Sequence, residues 1–154
     1  NYKMKKLIFV VITLFMLNNC GYTPIYSSKN NNFYIEILQK DKSKLNSKIE
    51  NNIKKYSNQN SKNTIKLEIS SNKKINVTSK DSKGDPSKFQ MTITLNINIL
   101  SKNNYKINKT KSFFSNFNYN NNSNKFSLKQ YETKIENILI NKIIEESIIY
   151  LTEL

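Results

Sequence analysis

The sequence predicts an α+β fold: a two-layer sandwich in which a four-stranded sheet packs against two helices, in the order β-α-β-β-β-α. In four segments apolar residues alternate with polar ones, which is typical of strands that bury one face. In two other segments apolar residues recur every three or four positions, which is typical of helices with one apolar stripe. Such a sheet and such helices bury their apolar faces by packing against each other.

The first strand is predicted at residues 33–38 and the first helix at residues 44–56. Alternate positions of the strand are apolar: Phe33, Ile35 and Ile37. The apolar stripe of the helix follows steps of four, four and three: Leu45, Ile49, Ile53 and Tyr56. We interpret this stripe as core packing. Since a helix follows the first strand, a crossover could place that strand parallel to a neighbour.

Three further strands are predicted at residues 64–79, 89–99 and 105–119. A polar interruption at residues 71–74 indicates a bulge or an exposed extension of the first of these. A turn around Gly84 joins the first two, so that pair is expected to be antiparallel. The middle strand gives the clearest alternation, with Phe89, Met91, Ile93, Leu95, Ile97 and Ile99 on one face. The last is weaker, because Lys109 and Lys111 share the parity of its apolar residues.

The second helix is predicted to start near Ser127. Ser127 and Gln130 form a capping-box pattern, and Phe126 and Tyr131 are spaced as a hydrophobic staple. Its core stripe is predicted to be Leu128, Tyr131, Ile135, Ile138, Leu139 and Ile143.

This helix also carries a second apolar stripe, on the side opposite Leu128 and Ile135. Its members are Ile140, Ile144, Ile148 and Leu151. Two interpretations are open at this point. The chain's own loops or C-terminus could cover the stripe, or the stripe could be an interface with another protein.

The N-terminal region predicts a lipoprotein signal peptide at residues 1–19, with Met4 as the expected initiator. Its apolar run, residues 7–17, is shorter than the roughly 20 residues that a membrane-spanning helix needs. Cys20 is the only cysteine, so no disulfide can form within the chain. We predict that Cys20 is lipidated, that residues 20–32 form the anchor and tether, and that residues 33–154 form one domain. An unmodified Cys20 behind an ordinary signal peptide is the alternative.

The charge of the chain predicts a polyanionic partner. The chain has 25 basic and 11 acidic residues, a formal net charge of +14. An exported protein rarely meets nucleic acid, so we expect no nucleic-acid partner and favour the phosphates of lipopolysaccharide. Asn, Lys and Ile are abundant throughout, so nucleotide bias of the genome could account for part of the charge.

The composition argues against an enzyme. The chain has no histidine, which excludes Ser-His and Cys-His nucleophilic sites. Gly21 and Gly84 are its only glycines, which excludes a glycine-rich phosphate loop. We therefore expect no catalysis, no cofactor and no metal.

Several stretches together resemble one known family. They are CGYTPIY at residues 20–26, GDPSKFQMTITLNI at residues 84–97, and FSLKQYETKIENILINKIIEESIIYL at residues 126–151. In order and length they resemble the LptE family of lipopolysaccharide-assembly lipoproteins. LNNC, with Leu17 three residues before Cys20, resembles the lipobox of bacterial lipoproteins, although Asn18 and Asn19 depart from its small residues.

The resemblance implies a sheet covered by two helices and a non-catalytic role. It implies lipid anchoring in the outer membrane on the periplasmic side, with Gly21 as the sorting residue. It also implies partnership with a large LptD-type β-barrel, as plug and assembly factor, and binding of lipopolysaccharide during transport to the cell surface. The alternative is a structural or auxiliary-transport lipoprotein that binds a periplasmic or inner-membrane partner without lipopolysaccharide.

Within that resemblance, a cluster of lysines is the expected lipopolysaccharide contact. It lies on the turn around Gly84 and on the strand before it: Lys73, Lys74, Lys80, Lys83 and Lys88. Lysine suits clustered phosphates because its ammonium group acts as a point charge without strict geometry. The alternative is an ordinary solvated loop.

Overall fold

A computed structural model gives the structure of the chain and describes residues 32–38, 42–101 and 105–154. The predicted signal peptide, Cys20 and nearly all of the tether lie outside those residues. The element order confirms the predicted α+β fold: β1 (Tyr34–Ile37), α1 (Lys44–Ile53), a 3-10 turn (Lys54–Tyr56), β2 (Thr64–Lys80), β3 (Pro86–Leu100), β4 (Ile107–Asn120) and α2 (Lys125–Thr152).

The four strands form one sheet in the order β1-β2-β3-β4. β1 pairs parallel with β2, from Tyr34 opposite Thr64 to Ile37 opposite Leu67. The crossover through α1 makes this parallel pairing possible. The sequence left the place of β1 in the sheet open, and the structure puts it at the edge, beside β2. β2 and β3 pair antiparallel, as the turn around Gly84 predicts, and β3 and β4 pair antiparallel as well.

The long hairpin of β2 and β3 projects well beyond β1. Its register runs unbroken from Lys66 to Val77, and its irregularities lie between Val77 and Lys80. The interruption at residues 71–74 is therefore an exposed extension of the strand and contains no bulge. The turn at the tip uses a φ of +88° at Gly84, a conformation that glycine adopts without steric cost.

One face of the sheet packs against both helices and forms the core. From β3 it contributes Met91, Ile93, Leu95, Ile97 and Ile99, all buried. Ile49 and Ile53 of α1 are fully buried against this layer, as their stripe predicts. Burying each aliphatic side chain contributes about 1.5 to 3 kcal/mol, which makes this layer the main source of stability.

The start of α2 differs from the prediction. Asn124 is the N-cap, and its Oδ1 accepts a hydrogen bond from the backbone N–H of Ser127 at 3.0 Å. Ser127 thus lies inside the first turn. Phe126 is the second residue of the helix and is 72% exposed, so it does not form the predicted hydrophobic staple. Asparagine caps helices as well as serine does, and the asparagine-rich run before the helix concealed the correct residue.

The second apolar stripe of α2 belongs to the core. Ile140, Ile144, Ile148 and Leu151 are only 0%, 2%, 1% and 1% exposed. They are buried because α2 contacts α1 as well as the sheet, so that a wide arc of its C-terminal half is covered. The interface predicted at these four residues is therefore wrong, and the chain's own fold covers the stripe. Two residues of the predicted core stripe, Tyr131 and Ile138, are instead 46% and 60% exposed.

Candidate binding surfaces

The tip of the β2–β3 hairpin presents three of the five candidate lysines to solvent: Lys80, Lys83 and Lys88. A side-chain cap holds the turn, because Asp81 Oδ1 accepts from the backbone N–H of Lys83 and from that of Asp85, both at 2.9 Å. No ion pair joins the three lysines to a carboxylate among the residues that the structure describes. Their ammonium groups are therefore available to an anionic ligand.

Lys73 has a different environment from the tip. It lies on the helix-facing side of β2, and its Nζ is 2.7 Å from Glu136 of α2. Lys48 of α1 reaches the other oxygen of Glu136 at 2.8 Å. Burial acts to raise the pKa of Glu136, but hydrogen bonds from the two lysines outweigh burial and hold that pKa below its usual value. Lys73 therefore ties the layers together, and a ligand would have to compete with Glu136 for it.

Lys74 points to the opposite side of the sheet. It lies directly across from Thr92, whose neighbour Ile93 is buried under the helices. The structure thus brings together three of the five candidate lysines and separates Lys73 and Lys74 from each other by the thickness of the sheet. Cys20, the candidate lipidation site, lies outside the described residues.

The side of the sheet that faces away from the helices is open and polar. On β3 and β4 we call this the amide face, and it consists of Gln90, Thr92, Thr94, Asn96, Asn98, Thr110, Ser112, Phe114, Asn116 and Asn118. Cross-strand hydrogen bonds order one end of it. Ser112 Oγ donates to Asn96 Oδ1 at 2.7 Å, and Thr110 Oγ1 donates to Asn98 Oδ1 at 2.9 Å.

The alternation of β3 implies that its half of this face is polar, but no pattern in the sequence analysis singles out Phe114. This phenylalanine is 66% exposed and lies across from Thr94 on the polar side of the sheet. Its neighbour Phe113 is buried against the helices. The FF pair at residues 113–114 contains the signal, because adjacent residues of a strand point to opposite faces.

Two concavities border the helix layer. The larger, of about 600 Å³, lies where Asn32 enters the domain, and Phe33, Ile65, Leu100 and Leu151 are among its lining residues. The smaller, of about 460 Å³, lies between the end of β4 and the start of α2. Its lining includes Phe117, Tyr131 and Lys88.

Within the described ranges, His, Cys, Asp and Glu side chains form no group of three that could hold a metal ion. In the same ranges, neither helix has the length and apolar character that crossing a membrane requires.

No protein-family model matches the chain, and no curated protein is similar to it. Solved structures do match. The crystal structure of rare lipoprotein B from Shewanella oneidensis superposes with a TM-score of 0.55 at 9% identity, over 77% of this chain and 95% of that one. The domain has the rare lipoprotein B fold.

Two further structures support this assignment of the fold. A lipoprotein from Caulobacter crescentus matches with a TM-score of 0.53 at 11% identity, over 77% of this chain and 88% of that one. Lipoprotein B from Nitrosomonas europaea, whose structure was solved in solution, matches with a TM-score of 0.54 at 10% identity, over 80% of this chain and 84% of that one. At identities of 9% to 11%, the likeness shows the rare lipoprotein B fold alone.

Proposed function

We propose that this protein is an outer-membrane lipoprotein of the LptE type. In this proposal Cys20 carries the lipid anchor, and the domain partners a large LptD-type β-barrel as plug and assembly factor. It binds lipopolysaccharide during transport of that glycolipid to the cell surface, and it catalyses no reaction.

One observation carries the proposal: the whole described domain is similar in fold to proteins that are named as bacterial lipoproteins. Low identity limits that likeness to the fold, and the sequence adds two independent features. The chain has a lone cysteine behind a short apolar run, and it has a net charge of +14. The first suits a lipid anchor, and the second suits a ligand with clustered phosphates.

The hairpin tip is the proposed contact for lipopolysaccharide phosphates. Lys80, Lys83 and Lys88 are exposed on one turn, so a phosphate group can approach their ammonium groups without displacing a carboxylate. Asp81 and Asp85 lie in the same turn, but Asp81 Oδ1 is occupied by backbone N–H groups. The attraction is electrostatic and exposed to solvent, so it should weaken as salt is added.

Substitution of all three tip lysines by glutamate tests this contact. We expect the triple variant to bind purified lipopolysaccharide at least tenfold more weakly than the wild type at low ionic strength, because three attractive charges become repulsive. Isothermal titration at two salt concentrations measures the effect, and the difference should shrink at high salt.

The matched control makes the same charge change elsewhere, at Lys62, Lys134 and Lys142, which are exposed and far apart in sequence from the tip. Equal weakening by both triple variants would show that net charge, rather than the tip, governs binding. If the wild type does not bind lipopolysaccharide at all, the auxiliary lipoprotein described above becomes the better account.

A further inference from the structure

Charge is distributed unevenly between the two sides of the sheet. Every side chain of the amide face is uncharged, from Gln90 to Asn98 on β3 and from Thr110 to Asn118 on β4. Charged residues surround it: Glu68 and Lys74 of β2 lie opposite Asn98 and Thr92, and Lys88 lies two residues before Gln90 on the same side of β3. At about 3.3 Å per residue, this uncharged strip extends for roughly 26 Å along β3.

β4 reverses the usual placement of charge in a two-layer fold. A helix-covered side is normally apolar and an open side normally carries the charges. Here both lysines of β4, Lys109 and Lys111, lie on the side of the sheet that carries the helices, opposite Ile99 and Ile97, at an end of the strand where both remain exposed. The open side of the same strand carries none.

Nucleotide bias does not account for this pattern. Lysine and asparagine are both overused throughout the chain, so bias alone would place both on an exposed strand face. The amide face contains Asn96, Asn98, Asn116 and Asn118 but no lysine. On this side of the sheet, charge is therefore absent from one stretch, residues 90–98 of β3 and 110–118 of β4.

Phe114 provides an apolar platform on this surface. Its side chain is 66% exposed, and its neighbours along the strand and across it are Ser112, Asn116 and Thr94. An exposed aromatic ring among short polar side chains leaves its face accessible for stacking.

Much of the hydrogen-bonding capacity of the face is unused. Asn96 and Asn98 accept through Oδ1, which leaves their Nδ2 groups as donors. The side chains of Thr92, Thr94 and Asn116 make no hydrogen bond to another described residue. Amides and hydroxyls together offer both donors and acceptors, as a ligand rich in hydroxyl groups requires.

We propose that the amide face binds the oligosaccharide part of a glycolipid, with Phe114 stacking against a sugar ring and the asparagine and threonine side chains pairing with sugar hydroxyls. This inference rests on the proposed function, which identifies the glycolipid as lipopolysaccharide. It assigns the sugar to the amide face and the phosphates to the adjoining lysine tip, since Lys88 of the tip lies two residues before Gln90 on the same side of β3.

A protein partner with an apolar interface fits this face less well than a saccharide does. The centres of protein interfaces are predominantly apolar and rich in aromatic residues, whereas Phe114 is the one apolar side chain of the amide face. Sugar rings instead present hydroxyls around a weakly apolar face, which matches an array of amides around one aromatic ring.

The test uses core oligosaccharide released from lipopolysaccharide, then dephosphorylated and carboxyl-reduced, so that neither acyl chains nor charged groups contribute. We expect the wild-type chain to bind it, and Phe114→Ala to bind about tenfold more weakly, which is the scale of a lost aromatic contact. Phe126→Ala is the matched control, because Phe126 is 72% exposed but lies at the start of α2. It should bind as the wild type does.

A second pair of variants tests the exclusion of charge. Asn116→Lys places a cation on the amide face, and Asn137→Lys places one on the exposed side of α2. The first should weaken binding of the neutral oligosaccharide and the second should not. Equal melting temperatures across the variants show that folding is intact.

The outcomes separate this inference from the proposed function. Failure of the wild type to bind the dephosphorylated oligosaccharide overturns the inference, even if intact lipopolysaccharide binds through the lysine tip. Retained oligosaccharide binding by Phe114→Ala also overturns it. If Phe114→Ala loses capture of a protein from outer membranes while the sugar binds to neither form, the face is a protein interface and the inference is wrong. Oligosaccharide binding without any β-barrel partner supports the inference and contradicts the proposed function.

Discussion

Glu136 connects three elements of the domain. Its two carboxylate oxygens pair with Lys48 of α1 at 2.8 Å and with Lys73 of β2 at 2.7 Å, while Glu136 itself belongs to α2. Its side chain is 18% exposed, so solvent screens these pairs less than it screens ordinary surface pairs. One carboxylate therefore orients both helices on the sheet.

Glu136→Gln should lower the free energy of unfolding by about 1 kcal/mol at neutral pH, because the amide loses two charge-assisted contacts. The folded-state pKa of Glu136 is lowered, so its contribution is present above the ordinary pKa of 4.5. It is lost as pH falls through the lower folded-state value. Urea unfolding of the variant and the wild type should therefore differ at pH 7 and converge in acid.

Glu145→Gln is the control for this effect, since Glu145 is an exposed carboxylate on the same helix. It should leave stability unchanged at both pH values. A gap between Glu136→Gln and the wild type that is as large in acid as at neutral pH would contradict a role through the ionised carboxylate.

At the level of elements, α2 is the one whose environment the sequence predicts least well. Its apolar residues cover so much of the helix circumference that the pattern alone cannot assign a face. The structure shows the reason, because α2 packs on the sheet and on α1 together. Ile140 and Ile144 are buried while Ile138, on the far side of the helix, is 60% exposed.

Two alanine substitutions on α2 test this arrangement. Ile144→Ala should lower the free energy of unfolding by about 2 to 5 kcal/mol, because it opens a cavity in the core. Ile138→Ala should change it by less than about 0.5 kcal/mol, as is usual for an exposed site. Chemical denaturation measures both. Similar small effects at the two positions would show that Ile144 lies on an open surface.

The strands show which structural features local patterns can predict. β3 alternates without exception from Phe89 to Ile99, so its buried face over that stretch follows from the sequence alone. For β4 the same reasoning fails in part. Tyr105 and Ile107 share the parity of the buried Phe113, yet they are 52% and 57% exposed. Burial at a given parity depends on whether a helix covers that end of the strand, which local pattern does not contain.

The candidate site shows the same limit. The three lysines of the hairpin tip follow from the turn residues around Gly84. The ion pair of Lys73 depends on Glu136, which is 63 residues away along the chain. Likewise, Phe114 stands out only when strand register places it among the polar side chains of β3.

At the scale of the whole molecule, the domain separates its surfaces by chemistry. The helix layer completes the core, the hairpin tip concentrates lysines, and the open side of the sheet is polar without charge. Asn32, the last residue of the predicted tether, lies at the opposite end of β2 from the tip. A lipid anchor before the tether would hold the domain at a membrane with its binding surfaces free.

The most direct test is mass spectrometry of the protein isolated from crosslinked outer membranes. The same experiment measures the mass of the N-terminal peptide and identifies the crosslinked partner. The account predicts a peptide that begins at Cys20 with acyl chains attached, together with a large β-barrel protein, and it predicts loss of acylation in Cys20→Ser. An unmodified Cys20 thiol in the isolated protein, with no β-barrel attached, would contradict it.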